Sequence, residues 1–137
     1  MIDGIDREII KQLKENAKLQ WKEIGEKVHM TGQAVAARVR KLEEAGVIKR
    51  FTVEIDQSKL DSTVTAFVTV FMTGSDHHAF QRFARSRQEV LEMHRISGGG
   101  CYWLKVCTAN HEGLNEFLDL LLKYGNYRIS ISIGEIG

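Results

Sequence analysis

The chain contains no proline and only two cysteines in 137 residues. The first absence excludes rigid proline-rich linkers and suits a compact intracellular chain. The cysteines, Cys101 and Cys107, fall on one expected strand, an even number of residues apart. They therefore share a face but lie roughly 20 Å apart, too far to bridge. They read as small buried hydrophobes. No apolar run approaches the ~18 residues of a membrane-crossing helix. The opening MIDGIDREII carries acids where a signal peptide needs bases. The expected location is cytoplasmic, with no membrane partner.

Catalytic furniture is also missing. No nucleophile motif, carboxylate pair or phosphate-binding fingerprint is present. His77, His78, His94 and His111 form no HxH or HxxxH set, so they read as surface or cap residues. The expectation is no enzyme, no cofactor and no metal site. Charge of one sign is scarce as well, the net value being +1. Its distribution says more. Residues 1–60 hold 12 Lys/Arg against 10 Asp/Glu, and RVRK at 38–41 with KR at 49–50 concentrates five bases.

What the first sixty residues do contain is three helical patterns. In 3–16, Ile5, Ile9, Ile10 and Leu13 recur at helical spacing, with Asp3 and Asp6 favourably placed at the N-terminal end. In 20–30, Ile24 and Val28 share a face, Trp21 lies one turn earlier, and Leu19 can staple the start. In 31–46, Val35, Val39 and Leu42 form a stripe, with Thr31 as N-cap and Gly46 just past the end. The break at His29–Met30–Thr31 is short enough for a helix-turn-helix. A plain three-helix bundle or a protein-binding module would share these features.

The outer face of the third helix favours DNA. With its stripe turned inward, Gln33, Ala37, Arg40, Lys41 and Glu44 face outward, and Ala34 and Arg38 flank them. Small residues let a helix sit deep in a groove, Gln33 can read a base edge, and the bases reach guanines or phosphates. Gln33, Ala34, Ala37 and Arg38 are the expected base-proximal set. Thr31, Arg40, Lys41, Lys49 and Arg50, with Lys22 in a lesser role, are expected at phosphates. The stretch 47–56 alternates like a short strand and connector.

From Val64 the period changes to two. Val64, Ala66, Val68, Val70 and Met72 point one way; Thr65, Phe67, Thr69 and Phe71 point the other. Both faces are largely apolar, which predicts helices on one and a partner subunit on the other. A helix over 76–87 starts at Asp76, with Phe80, Phe83 and Ala84 inward. Strands over 90–96 and 101–109 follow, then a helix over 110–125 capped by Asn110 and ended by Gly125. A last strand over 128–136 alternates Ile129, Ile131 and Ile133 against serines. The order βαββαβ describes an α+β ferredoxin-like fold. Two domains and a connector are thus expected: a helix-turn-helix over 1–50, a connecting strand and hinge over 51–63, and the ferredoxin-like domain over 64–137.

Four segments carry a resemblance. DGIDREIIKQL at 3–13, RVRKLEEAGVIKRF at 38–51, SGGGCYWLK at 97–105 and RISISIGEI at 128–136 together resemble the Lrp/AsnC family of leucine-responsive, or feast/famine, transcriptional regulators. The resemblance covers essentially the whole chain. It implies a winged-type helix-turn-helix joined to a RAM-type domain, and double-stranded DNA as a partner. It further implies dimers made by pressing two sheets together, assembly to octamers or related discs, and an amino-acid-like effector. The effector pocket would be lined by Gly98, Gly99, Gly100, Cys101 and Tyr102.

The chain departs from the family pattern where that pocket lies. The family turn carries acids at the positions of Gly99 and Cys101, and a buried ammonium group needs an anionic or carbonyl partner. Three readings stay open: a different effector, an amine held by backbone carbonyls, or no effector. An effector-independent architectural protein that wraps or bends DNA is one rival. A small-molecule sensing module acting through protein contacts is another. The family also has glycine where this chain has His29, and Ser or Thr would cap the second helix better than Gln20.

Overall fold

The computed structural model describes all residues, Met1–Gly137. The chain divides into two compact units, Met1–Glu54 and Ile55–Gly137.

The N-terminal unit is three helices: α1 Gly4–Glu15, α2 Trp21–Val28 and α3 Gly32–Glu44. Each start is marked by local chemistry. Asp3 caps α1 in a reciprocal box with Asp6: the Asp6 amide donates to Asp3 Oδ1 at 2.8 Å and the Asp3 amide to Asp6 Oδ2 at 3.1 Å. At α2 the Gln20 amide donates to Glu23 Oε1 at 3.2 Å, which offsets a weak cap in part. Thr31 accepts from the Ala34 amide at 3.1 Å and starts α3. That helix ends in a Schellman arrangement, with Gly46 at φ 75°, its amide on the Glu43 carbonyl and the Val47 amide on the Leu42 carbonyl.

Ile9, Leu13, Ile24, Val35 and Val39 form the core, with Leu19, Val28, Met30 and Ile48 packed on its rim. Ile5, expected inward, is 37% exposed, and Trp21 is exposed too.

In the C-terminal unit, β1 (Val64–Met72), β2 (Val90–Arg95), β3 (Tyr102–Thr108) and β4 (Gly125–Ile131) form one antiparallel sheet in the order β2-β3-β1-β4. Helices α4 (His77–Ser86) and α5 (His111–Leu121) cover one face. Ala66, Val68, Val70, Tyr102, Leu104 and Val106 point into that layer and meet Phe80, Ala84, Leu114, Phe117, Leu118 and Leu121. The predicted period of two in β1 is what places these residues. Asp76 and Asn110 cap the two helices as expected.

Three expectations are corrected. Residues 47–56 enter no sheet, and Phe51, Val53 and Ile55 are exposed, because no strand of the chain lies beside them to complete a ladder. Gly125 does not end α5, which stops at Leu121; it opens β4, where a Cβ would lie 2.3 Å from the Phe71 carbonyl oxygen. The close approach of β1, not a helix terminus, requires glycine there. The last strand accordingly starts and stops earlier than predicted, and Ile133 and Ile136 are fully exposed beyond it.

Candidate nucleic-acid interface and glycine turn

The turn between α2 and α3 depends on one unusual backbone and one close approach. His29 is left-handed at φ 59° and ψ 46°, and the Met30 amide returns to the Gly25 carbonyl at 2.9 Å. Gly25 is buried against this turn, and a Cβ there would stand 2.3 Å from the Met30 carbonyl oxygen. Glycine inside a helix costs roughly 0.5–1 kcal/mol relative to alanine, a cost the tight turn offsets.

This geometry presents one face of α3 to solvent. Thr31, Gln33, Ala37, Arg40 and Lys41 are exposed, and Ala34 is half-buried. Lys49 and Arg50, beyond the helix, and Lys22, at the start of α2, are exposed as well. None of these cations forms an ion pair within the protein. They are exposed charges with no carboxylate of the chain to hold.

Arg38 differs from all of them. Its Nη1 lies 2.8 and 2.7 Å from the two carboxylate oxygens of Asp3 and 3.2 Å from Asp6 Oδ1. The guanidinium therefore closes onto the capping box of α1. The hydrogen bond from Arg38, with help from the Asp6 amide, holds the Asp3 carboxyl down from 3.8 to about 2, and the Asp3 hydrogen bond raises Arg38 in turn. Sequence reasoning missed this pairing. The Asp-x-x-Asp spacing was visible as a favourable helix start, but a partner 35 residues away leaves no local signal.

At the glycine turn, Gly98 (φ 98°) and Gly100 (φ 138°) adopt backbones that side chains rarely tolerate, and a Cβ at Gly100 would stand 2.6 Å from Thr69 Cγ2. Gly99 is different: its Cβ would meet open space, so nothing in the packing forbids an acid there. Cys101 is half-buried and its amide bonds the Val70 carbonyl at 2.8 Å. Tyr102 is 1% exposed, beneath the turn. Its hydroxyl accepts from Gln81 Nε2 at 2.9 Å and lies 2.8 Å from His77 Nδ1. His77, read from sequence as a cap or surface residue, is thus part of a polar cluster with Gln81 that locks Tyr102. The Arg95 guanidinium lies 5.7 Å from the centre of the same ring. The turn offers a ligand carbonyls, amides and a cation, and no carboxylate.

The open face of the sheet carries Phe67, stacked on Trp103 at 5.6 Å, and Phe71, 5.6 Å beneath the Arg128 guanidinium. His94 lies 5.7 Å from Trp103 on the neighbouring strand. No helix of the C-terminal unit covers these rings.

Comparison with known proteins follows the same division. Residues 2–49 match the family described as winged helix-turn-helix DNA-binding, and residues 65–136 match the Lrp/AsnC ligand binding domain. The chain is 48% identical to the HTH-type transcriptional regulator LrpB of Bacillus subtilis over 135 residues, covering 98% of this chain and 91% of that protein. Among solved structures, B. subtilis LrpC superposes with a TM-score of 0.87 at 31% identity, covering 100% of this chain and 98% of that one. The L-Met complex of the regulator NMB0573 from Neisseria meningitidis shares the fold, with a TM-score of 0.86 at 24% identity, covering 100% of this chain and 93% of that one.

Proposed function

The chain belongs to the Lrp/AsnC family of transcriptional regulators, a non-enzymatic family, and from that premise we propose how its parts act. The exposed face of α3 enters the major groove of double-stranded DNA. Gln33, Ala34 and Ala37 lie nearest the bases, while Thr31, Arg40, Lys41, Lys49, Arg50 and Lys22 meet phosphates. The observation that carries this reading is the set of unpaired cations around a small-residue face on the second helix of a helix-turn-helix. Residues 51–63 serve as the hinge. A cytoplasmic location goes with this reading.

The test is fluorescence anisotropy on a mixed-sequence duplex of about three helical turns. Each phosphate contact adds about 0.9 to the slope of log affinity against log salt, so Arg40→Ala with Lys41→Ala should flatten the slope by roughly 2. An unchanged slope, or no binding by the unsubstituted protein at about 50 mM salt, sinks the reading.

The open sheet face supports a homodimer and assembly towards an octamer. Two sheets pressed together would remove Phe67, Phe71 and Trp103 from water, at roughly 25 cal/mol for each Å² of apolar surface covered. The ligand-binding-domain match supports a small-molecule effector at Gly98, Gly99, Gly100, Cys101 and Tyr102. With no acid in the turn, backbone carbonyls would have to hold an amine. Sedimentation velocity with and without each amino acid tests both points. A dimer or larger species that shifts with one class of side chain is the expected result. A monomer throughout rules out the assembly, and an oligomer indifferent to every amino acid favours the effector-independent organiser of DNA.

A further inference from the structure

Two polar ties hold α1 against the other helices of its unit. Gln12, 8% exposed, accepts from Lys27 Nζ of α2 at 2.9 Å while its amide donates to Glu8 at 2.8 Å. At the other end Asp3 and Asp6 take Arg38 of α3. Between these ties the packing is aliphatic, and aliphatic packing is non-directional. The ties are the directional element. We propose that Arg38 is a positioning residue: by closing onto the α1 capping box it sets the stance of α3 in the groove and does not itself read bases or grip phosphate. The proposal rests on the DNA-binding reading above.

Three observations carry it. Arg38 is half-buried on the flank of α3, whereas Gln33, Ala37, Arg40 and Lys41 are exposed. To reach DNA, Nη1 would have to leave three carboxylate oxygens, each within 3.2 Å. Asp6, 8% exposed, would then lose its one cationic partner and keep only the Asp3 amide. Asp3 also spans both functions, since the oxygen that caps α1 is one that Arg38 holds. The start of α1 and the flank of α3 are therefore fixed by the same carboxylate.

The experiment compares Asp3→Asn, Arg38→Ala, their double variant, Arg38→Lys and Arg40→Ala by anisotropy on the same mixed-sequence duplex. It is run where circular dichroism shows every variant folded, over about 50–200 mM KCl. Asp3→Asn and Arg38→Ala should each weaken binding by about 3- to 10-fold, because a displaced helix loses several groove contacts together. The double variant should lose no more than either single one, the mark of one shared interaction. Their salt slopes should match the unsubstituted protein, while Arg40→Ala flattens its slope by about 0.9. Arg38→Lys, which keeps the charge and stands in if Arg38→Ala fails to fold, should fall between.

Tighter binding by Asp3→Asn would overturn the proposal, since it would mean a released Arg38 grips DNA. So would a slope lost on Arg38 substitution, or full affinity in folded Asp3→Asn and Arg38→Ala, which would make the tie structural only. Absence of binding by the unsubstituted protein is a separate result that removes the DNA-binding reading itself.

Discussion

The two units of the chain hold themselves together differently. The N-terminal unit buries six aliphatic side chains, Ile9, Leu13, Ile24, Val35, Val39 and Leu42, and no ring. The C-terminal unit buries twelve apolar side chains, including Phe80, Tyr102 and Phe117, and adds the partly buried rings of Phe83 and Tyr124. Rings bring large buried areas and fixed mutual geometry. Without them, a unit of 54 residues is near the size at which one core stops sufficing. The caps, the Schellman end and the polar ties of Gln12 and Arg38 are what the smaller unit has in their place. A DNA-reading unit can thus be specified by polar contacts at helix ends, leaving the outer face of α3 free of structural duty.

The sequence supplies a way to read each unit alone, because each holds one tryptophan, Trp21 and Trp103. In a Trp103→Phe background, fluorescence during denaturant unfolding reports the N-terminal unit; in a Trp21→Phe background it reports the other. Phe117→Ala should lower the stability read at Trp103 by about 3–5 kcal/mol, through lost transfer energy and the cavity left behind. Ile24→Ala should lower that read at Trp21 by about 2–5 kcal/mol. Each should leave the other signal within error. If both substitutions move both transitions, the contrast between the units is wrong and the chain unfolds as one.

How far the sequence revealed all this depended on the range of the interaction. The helices of both units, the acid at the start of α1, the caps at Thr31, Asp76 and Asn110, and the inward residues of β1 follow from spacing within about a dozen residues. At β3 the cysteines, read as buried, are only half-buried, because Tyr102, Leu104 and Val106 take the inward face. The failures were long-range. The stretch 47–56 has the alternation of a strand, but a strand also needs a neighbour, and the fold supplies none from this chain. Gly125 looked like a helix end because its reason, the Phe71 carbonyl, lies 54 positions earlier.

The two sites divide in the same way. A helical wheel finds Gln33, Ala37, Arg40 and Lys41 without knowing the rest of the chain. It cannot tell that Arg38, one position from that face, is spoken for by Asp3. At the turn, glycine's freedom explains positions 98 and 100, whereas the clamp on Tyr102 by His77 and Gln81 joins a strand to a helix that precedes it by some twenty residues.

The smallest expected effect sharpens the comparison most. In the C-terminal unit every left-handed backbone falls on glycine: Gly98, Gly100 and Gly134. In the N-terminal unit His29 takes φ 59° with a full side chain. A left-handed backbone costs an L-residue roughly 1–2 kcal/mol, and glycine there loses about 0.5–1 kcal/mol of extra chain entropy on folding. His29→Gly should therefore stabilise the Trp21 transition by about 0.5–1 kcal/mol and leave the Trp103 transition alone. His29 is exposed and its amide already bonds the Gly25 carbonyl, so the substitution removes strain without removing a contact. A loss of stability instead would mean that the imidazole holds the turn in a way its exposure does not suggest. A gain would show that the DNA-reading unit, already poorer in core, also carries strain at the turn that orients α3.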